Sequence, residues 1–251
     1  MTRVCLPPKS DYSKVRLHAP TGACDSHVHI FGPFAQFPLA EDRSYTPQEY
    51  PAQQFIEHLD QIGFARGVLV TASVCGTNNG SLLRGLEQYP DRLRGVVVPD
   101  ANVSDQELDQ WHALGVRGAR FNLLQIDGKP MYRNGVGLEV LQKLAPKFAQ
   151  RGWHAQIWAH APDLPELAPK LLALGLPLVV DHMGRMNTGH GINHASVFVC
   201  CLIVSPMANA INRSKPMDAM PSTFWPISTE YGSNLNSMVC FPAGTAKLRK
   251  T

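Results

Sequence analysis

Hydrophobic and polar positions along the chain fall into two alternating patterns. Short β-branched runs, most of them entered through Gly, Arg or Pro, occur at Ala23–Phe31, Ala65–Ser73, Leu93–Pro99, Val116–Asn122, Trp153–His160 and Leu176–Met183. That length and composition predict strands. Between them lie helix-compatible stretches at Ala52–Ile62, Gly80–Tyr89, Ser104–Leu114, Gly137–Arg151 and Leu164–Leu174. Ser104 with Glu107 three residues on is a capping-box signature. Gly63, Gly115, Gly152 and Gly175 stand where helices should stop. Strand and helix repeated at roughly 30 residues per unit predict an α/β protein, with a parallel sheet and helices packed outside. No glycine-rich phosphate-binding motif follows the first strand. A (β/α)8 barrel of the TIM-barrel type is therefore expected in preference to an open nucleotide-binding sheet.

The pattern stops near Ser196. The following stretch opens on one apolar burst, VFVCCLIV, and then runs through a Pro-interrupted segment with no amphipathic helix and no second clear strand. The expected organisation is a polar leader over 1–21, a barrel domain over 22–196 and an atypical tail over 197–251. Six β-α units are recognisable and strands seven and eight are not, so an incomplete barrel is expected, with an exposed sheet edge. A disordered tail or one read in a shifted frame fits this composition; an irregular C-terminal subdomain is the alternative.

Composition narrows the function. The 251 residues are 44% hydrophobic and 17% charged, with a net charge of +3. Residues 1–196 are neutral, and the excess sits in the tail, which carries five basic and two acidic side chains. That field is too weak to argue for nucleic acid or an anionic membrane. The apolar burst spans eight residues against the ~20 a bilayer requires. Six cysteines without C-x-x-C spacing, and no signal-like N-terminus, lead to the expectation of a cytoplasmic protein with reduced thiols. The oligomeric state is left open.

Candidate chemistry lies at strand ends. Side chains alternate along a strand, so Asp25, His27 and His29 of the first run share a face, with the two imidazoles about 6–7 Å apart. Such a pair can share a metal ion or a substrate oxygen, or can be two satisfied core histidines. At the end of the sixth run, Asp181-His182-Met-Gly-Arg185 places His182 at the rim and Arg185 in the loop beyond. Arg120 and Asn122 share a face of the fourth run. A guanidinium pointing into a barrel needs an anion, either a substrate carboxylate or a structural partner. Thr71 and Ser73 could likewise offer hydroxyl donors.

These residues resemble the amidohydrolase superfamily and, within it, the branch that includes 2-pyrone-4,6-dicarboxylate lactonase. The matching stretches are ACDSHVHIFGP, SYTP at Ser44–Pro47, VLVTAS, GVRGARFN, GWHAQIW and VVDHMGR, in family order over about residues 22–196. The resemblance implies a hydrolase that opens a carboxylated lactone, a ring-cleavage product of aromatic compound catabolism. His27, His29 and His182 would polarise the scissile carbonyl without a metal. Tyr45, Ser73 and Arg120 would hold carboxylate or hydroxyl groups of the substrate. Arg185, Trp158 and His160, by their places at strand ends, are further candidates for substrate binding.

The chain departs from the branch at three points. Ile126 stands where the lactonase has a second Arg, which argues for a smaller or less charged lactone. Trp158 replaces a Tyr, with His160 additional beside it. The eighth-strand Asp that serves the branch as general base has no counterpart, since Asp218, the only Asp after Asp181, lies in a Pro-flanked setting unlike a strand. Weak or absent hydrolase activity is therefore expected. Two other expectations stay open. One is a Zn-dependent amidohydrolase or decarboxylase-type enzyme using His27, His29, His182 and His160. The other is an inactive incomplete barrel that binds an anionic ligand.

Overall fold

Each of the six β-branched runs forms a strand, and each of the five intervening stretches forms a helix. The computed structural model describes residues 2–8, 15–16, 18–126, 129–131, 136–185 and 239–240. The strands are β1 (Cys24–Val28), β2 (Arg66–Val70), β3 (Leu93–Val97), β4 (Val116–Asn122), β5 (His154–Trp158) and β6 (Leu178–Val180). The helices are α1 (Ala52–Ile62), α2 (Gly80–Gln88), α3 (Asp105–Leu114), α4 (Leu138–Gln150) and α5 (Leu164–Leu172). The strands pair in sequence order, every neighbour parallel.

The outward side chains of the sheet make the core. Leu69, Leu93, Val97, Ala119, Phe121, Ala155, Ile157, Leu178 and Val180 pack against helix residues such as Phe55, Leu59, Leu86, Leu108 and Phe148. The inner face is polar in its upper part: Arg120 and Asn122 on β4, Gln156 and Trp158 on β5 and Asp181 after β6 alternate with those core residues. Helix ends follow the sequence signals. The Ser104 hydroxyl accepts the Glu107 N–H at 3.2 Å while the Glu107 carboxylate accepts the Ser104 N–H, and Gly115 closes α3 at φ 111°, a conformation a β-carbon disfavours.

Curvature is what turns this sheet into a site. Across a flat sheet, β1 and β6 would lie five strand spacings apart, about 24 Å. The ring centroids of His27 on β1 and His182 just beyond β6 are 5.1 Å apart. The described strands therefore form a curled half-barrel with helices outside, an α/β architecture of the TIM-barrel type. On the far side of β1, Val239–Cys240 pairs antiparallel with Cys24 and Asp25, whereas all other pairings in the sheet are parallel. The expectation for residues 197–251 otherwise falls on residues outside those described. Among the described residues no helix is long and apolar enough to cross a membrane.

Gly118 shows how tightly the lower barrel is filled. It lies on β4 directly beside His154 of β5, and a β-carbon there would run into the imidazole ring. Gly118→Ala is expected to cost about 1–3 kcal/mol through overpacking against a half-buried ring. Equilibrium denaturation in urea, with the change read in the midpoint at unchanged slope, measures it.

Candidate active site

Three histidines from opposite edges of the sheet meet. The His27 and His29 rings lie 5.0 Å apart, centroid to centroid, in a T-shaped arrangement, and His182 approaches His27 at 5.1 Å. Trp158 of β5 stands edge-on to His182 at 5.1 Å. An open cleft of about 360 Å³ runs along β1, lined by Asp25, His27, His29 and His182 together with Tyr50 and His58 from outside the strand. His182, Met183 and Arg185 all adopt positive φ, between 49° and 52°. Successive left-handed residues with β-carbons are strained, on the order of 1–3 kcal/mol each, and such strain clusters where a side chain must be held in place.

The resemblance gives the three histidines one role, but the geometry distinguishes them. His29 Nδ1–H donates to the Val70 carbonyl oxygen at 2.7 Å. A carbonyl only accepts, so the proton of the neutral ring is on Nδ1 and Nε2 carries a lone pair. Burial, with Arg120 and His27 nearby, lowers the His29 pKa to about 3 and keeps the ring neutral. His27 faces the other way: its Nδ1 lies 3.4 Å from Asp181 Oδ1, and its buried Nε2 has no partner among the described residues. For His182, burial lowers the pKa, opposed by Asp181.

A buried charge network underlies the histidines. Arg120 is 4% exposed and Asp181 3%. Arg120 Nε donates to Asp181 Oδ2 at 2.8 Å, and Gln156 Nε2 donates to Asp181 Oδ1 at 2.5 Å while standing 3.3 Å from His27 Nδ1. The guanidinium also lies over the Trp158 ring, 4.8 Å from its centroid. Burial alone would raise the Asp181 pKa. The hydrogen bond with His27 and the Arg120 charge outweigh it and hold the carboxyl well below the usual carboxylate range. Arg120 thus has the structural partner that the sequence left open, yet its Nη2 is buried without an acceptor among the described residues. Asp25, whose Oδ1 accepts the His27 N–H at 3.1 Å, has its pKa raised by burial.

The remaining expected residues are placed less centrally. Tyr45 packs against the small cluster of Phe31, Ala72 and Val74, on which the His29 ring borders through Phe31 at 6.4 Å. Ser73 opens a single helical turn after β2. Thr71 does not turn its hydroxyl to the pocket; it donates to Asn79 Oδ1 at 2.7 Å, inside a knot in which Asn79 also binds both backbone groups of Val98. Arg185 is exposed, its Nη1 3.9 Å from Met131 Sδ. His160 precedes the short turn Ala161–Asp163, and the ring contacts among the described residues that join His27, His29, His182 and Trp158 do not include it. Asp218 falls outside the described residues. Gln156 was missed: the alternation of β5 put it on the inner face between His154 and Trp158, and a polar side chain in mid-strand was the available signal.

The donor chemistry fits a divalent metal. Ligand atoms of His27, His182 and Asp181 all lie within 4.8 Å of one another. Imidazole and carboxylate donors in this number are those of a zinc site, although Asp181 would share its oxygens with Arg120 and Gln156.

One consequence is a pH-dependent stability in metal-free protein. The folded-state pKa of His29, about 3, lies below the unfolded value near 6.5, so the unfolded chain takes up the proton first. Stability from this group is complete above pH 6.5 and is lost as pH falls from there toward 3. With a discount for partial solvent access of the ring, about 1–2 kcal/mol should be lost between pH 7 and pH 5. Denaturant titrations at the two pH values, with His29→Gln showing a smaller difference, check this.

The amidohydrolase family profile matches residues 24–196. A 2-pyrone-4,6-dicarboxylate hydrolase of Comamonas testosteroni is 38% identical over 183 residues, 72% of this chain and 58% of that protein. A 4-sulfomuconolactone hydrolase of Rhizobium radiobacter is 31% identical over 196 residues, 75% of this chain and 62% of that protein. A solved Acinetobacter baumannii structure, described as a probable 2-pyrone-4,6-dicarboxylic acid hydrolase with citric acid bound, superposes with a TM-score of 0.60 at 30% identity, covering 74% of this chain and 67% of that one. The chain thus spans about three-fifths of the length of the curated relatives it matches.

Proposed function

Because this chain belongs to the amidohydrolase family, we propose that residues 22–196 carry the pocket of a lactone hydrolase acting on a carboxylated small molecule. The observation that carries the reading is the convergence of His27, His29 and His182 beside the buried, incompletely partnered Arg120. The relatives named as hydrolases of 2-pyrone-4,6-dicarboxylate and 4-sulfomuconolactone, and the citric acid bound by the Acinetobacter protein, support an anionic ring substrate.

The residues then divide the work. Arg120 Nη2 takes a substrate carboxylate, a charge-assisted bond that satisfies a donor without an acceptor among the described residues. His27 polarises the lactone carbonyl through its Nε2–H, with the Asp181 carboxylate beside Nδ1 and Gln156 holding that carboxylate. His182 flanks the same oxygen. His29 Nε2, an acceptor, takes a hydrogen bond from the attacking water. The water oxygen bonds to the carbonyl carbon, the ring C–O bond breaks, and the water proton ends on the departing ring oxygen.

The second reading rests on the metal-compatible donor set: His27, His182 and Asp181 would hold a zinc ion. When bound, such an ion supplies Lewis acidity toward the carbonyl oxygen. Loss of 2-pyrone absorbance on ring opening, followed with the whole chain before and after exhaustive chelation, separates the two. Hydrolysis that survives chelation supports the imidazole reading. Activity lost on chelation and restored by zinc supports the metal reading, and absence of turnover of any carboxylated 2-pyrone refutes both.

A further inference from the structure

We infer that Asp25 is a positioning residue of this pocket: by accepting the His27 N–H it holds the bulge in β1 that turns His27 and His29 toward His182. This role rests on the lactone-hydrolase reading above. Strict alternation would leave Asp25 on one face with both histidines, but the ladder runs otherwise. From Asp25 to Val28, β1 advances three residues, while its neighbour β2 advances two, from Gly67 to Leu69. One residue of β1 is therefore extra, and a one-residue slip moves every side chain beyond it to the opposite face.

The neighbours identify the two faces. Gly67, in register with Asp25, points at the helices, since a β-carbon there would strike the Phe55 ring of α1. Residues in register on parallel strands share a face, so Asp25 points outward as well, at 6% exposure. Phe55 and His58 of α1 line the cleft beside it. Val28, in register with Leu69, packs on the same outward core. His27 and His29 flank Val28 and so face inward, where the His27 ring meets those of His29 and His182. Without the extra residue both imidazoles would share the outward face of Asp25.

A bulge leaves backbone groups to be satisfied. Ser26 and His27 have no ladder partner among the described residues, and a backbone N–H left out of a ladder beside the core needs another acceptor. Asp25 Oδ1 supplies it, 3.1 Å from the His27 nitrogen, the reach by which an Asp side chain bonds its own backbone two residues on. That bond ties an outward carboxylate to the residue that must face inward. His27 is then delivered with its Nδ1 3.4 Å from Asp181 Oδ1. A reacting group misplaced by about 1 Å can cost about 10²-fold in rate, so the bond acts on catalysis through His27 without touching the substrate.

Kinetics of the whole chain on 2-pyrone-4,6-dicarboxylate, with calorimetric binding of benzene-1,3-dicarboxylate, test this. The second probe presents carboxylates without a scissile carbonyl. Asp25→Ala should lower kcat about 10–100-fold while KM and the Kd of benzene-1,3-dicarboxylate stay within about threefold, because Arg120 is held by Asp181 and not through β1. Asp25→Asn keeps a side-chain oxygen at the same reach and should restore kcat to within about threefold of the unaltered chain. Equal losses in the Asn and Ala variants overturn the positioning role, since the charge of Asp25 and not its bond to the His27 N–H would then matter. An unchanged kcat in Asp25→Ala, or a loss shared between kcat and the Kd, overturns it too. Should Asp25→Ala fail to fold, Asp25→Asn decides alone: kcat near that of the unaltered chain upholds the role, and a loss of about tenfold or more overturns it. In all these cases the unaltered chain still hydrolyses the pyrone and the hydrolase reading stands. No turnover by the unaltered chain overturns both.

Discussion

Asp181→Ala is expected to lower the stability of this protein by about 3–5 kcal/mol, the cost of leaving one member of a buried ion pair without its partner. Arg120 is 4% exposed and its strongest bond goes to the Asp181 carboxylate, at 2.8 Å. Removing the acceptor strands the guanidinium between Trp158 and the Thr71 carbonyl, which lies 3.4 Å from Nη1. Gln156 and His27 lose their common acceptor at the same time. The expected counterpart is partial recovery in Asp181→Leu combined with Arg120→Met, since exchanging both members for apolar groups removes the stranded charge. Urea denaturation of both single variants and the pair measures the coupling. A single Asp181 variant within 1 kcal/mol of the parent protein would contradict the network as described.

His27→Ala should reduce kcat/KM on a carboxylated 2-pyrone by about 10²–10⁴-fold, the range for removing a positioned donor or acid–base group. Its effect should fall on kcat more than on KM, because the charge it stabilises develops on the carbonyl oxygen as water attacks. His29→Ala tests a different function, since its neutral ring offers a lone pair rather than a proton. If the two variants responded identically to pH, the division of roles between an imidazole paired with Asp181 and one committed to the Val70 carbonyl would fail.

Much of the fold could be read before any coordinates. The helix Ala52–Ile62 and the strand Val116–Asn122 have the predicted ends to the residue, and the Ser104–Glu107 capping box forms as its spacing required. These are local matters, decided by alternation, helical periodicity and turn chemistry within a dozen residues. Period-2 alternation also told which side chains share an inner face, and so grouped His27 with His29 and Arg120 with Asn122. It could not tell which inner residues pair. Thr71 illustrates the failure: its hydroxyl turns to Asn79, eight residues on, because the chain leaves extended geometry after β2 and the start of α2 comes within reach.

The site itself was half legible. Motifs named the histidines, but nothing in the sequence gave them different partners: a carbonyl stands at Nδ1 of His29 and a carboxylate beside Nδ1 of His27. Val70 is 41 residues from His29, and Asp181 is 61 from Arg120. Gln156 passed unnoticed for the same reason. Its importance comes from the two groups it touches, on β1 and after β6.

The sequence by itself determined the alternating elements, the inward and outward faces of each strand and the stock of imidazole and guanidinium groups near their ends, since all of these depend on neighbours along the chain. Tertiary structure alone decided that the first and sixth strands face each other across a curled sheet. It also decided that Asp181 neutralises Arg120 and orients His27, and that Arg120 and Asn122 each keep one buried N–H without a partner among the described residues. The physical reason is distance. Hydrogen bonds and charge pairs act over about 3–4 Å, and only the curvature of the sheet brings residues from opposite edges that close.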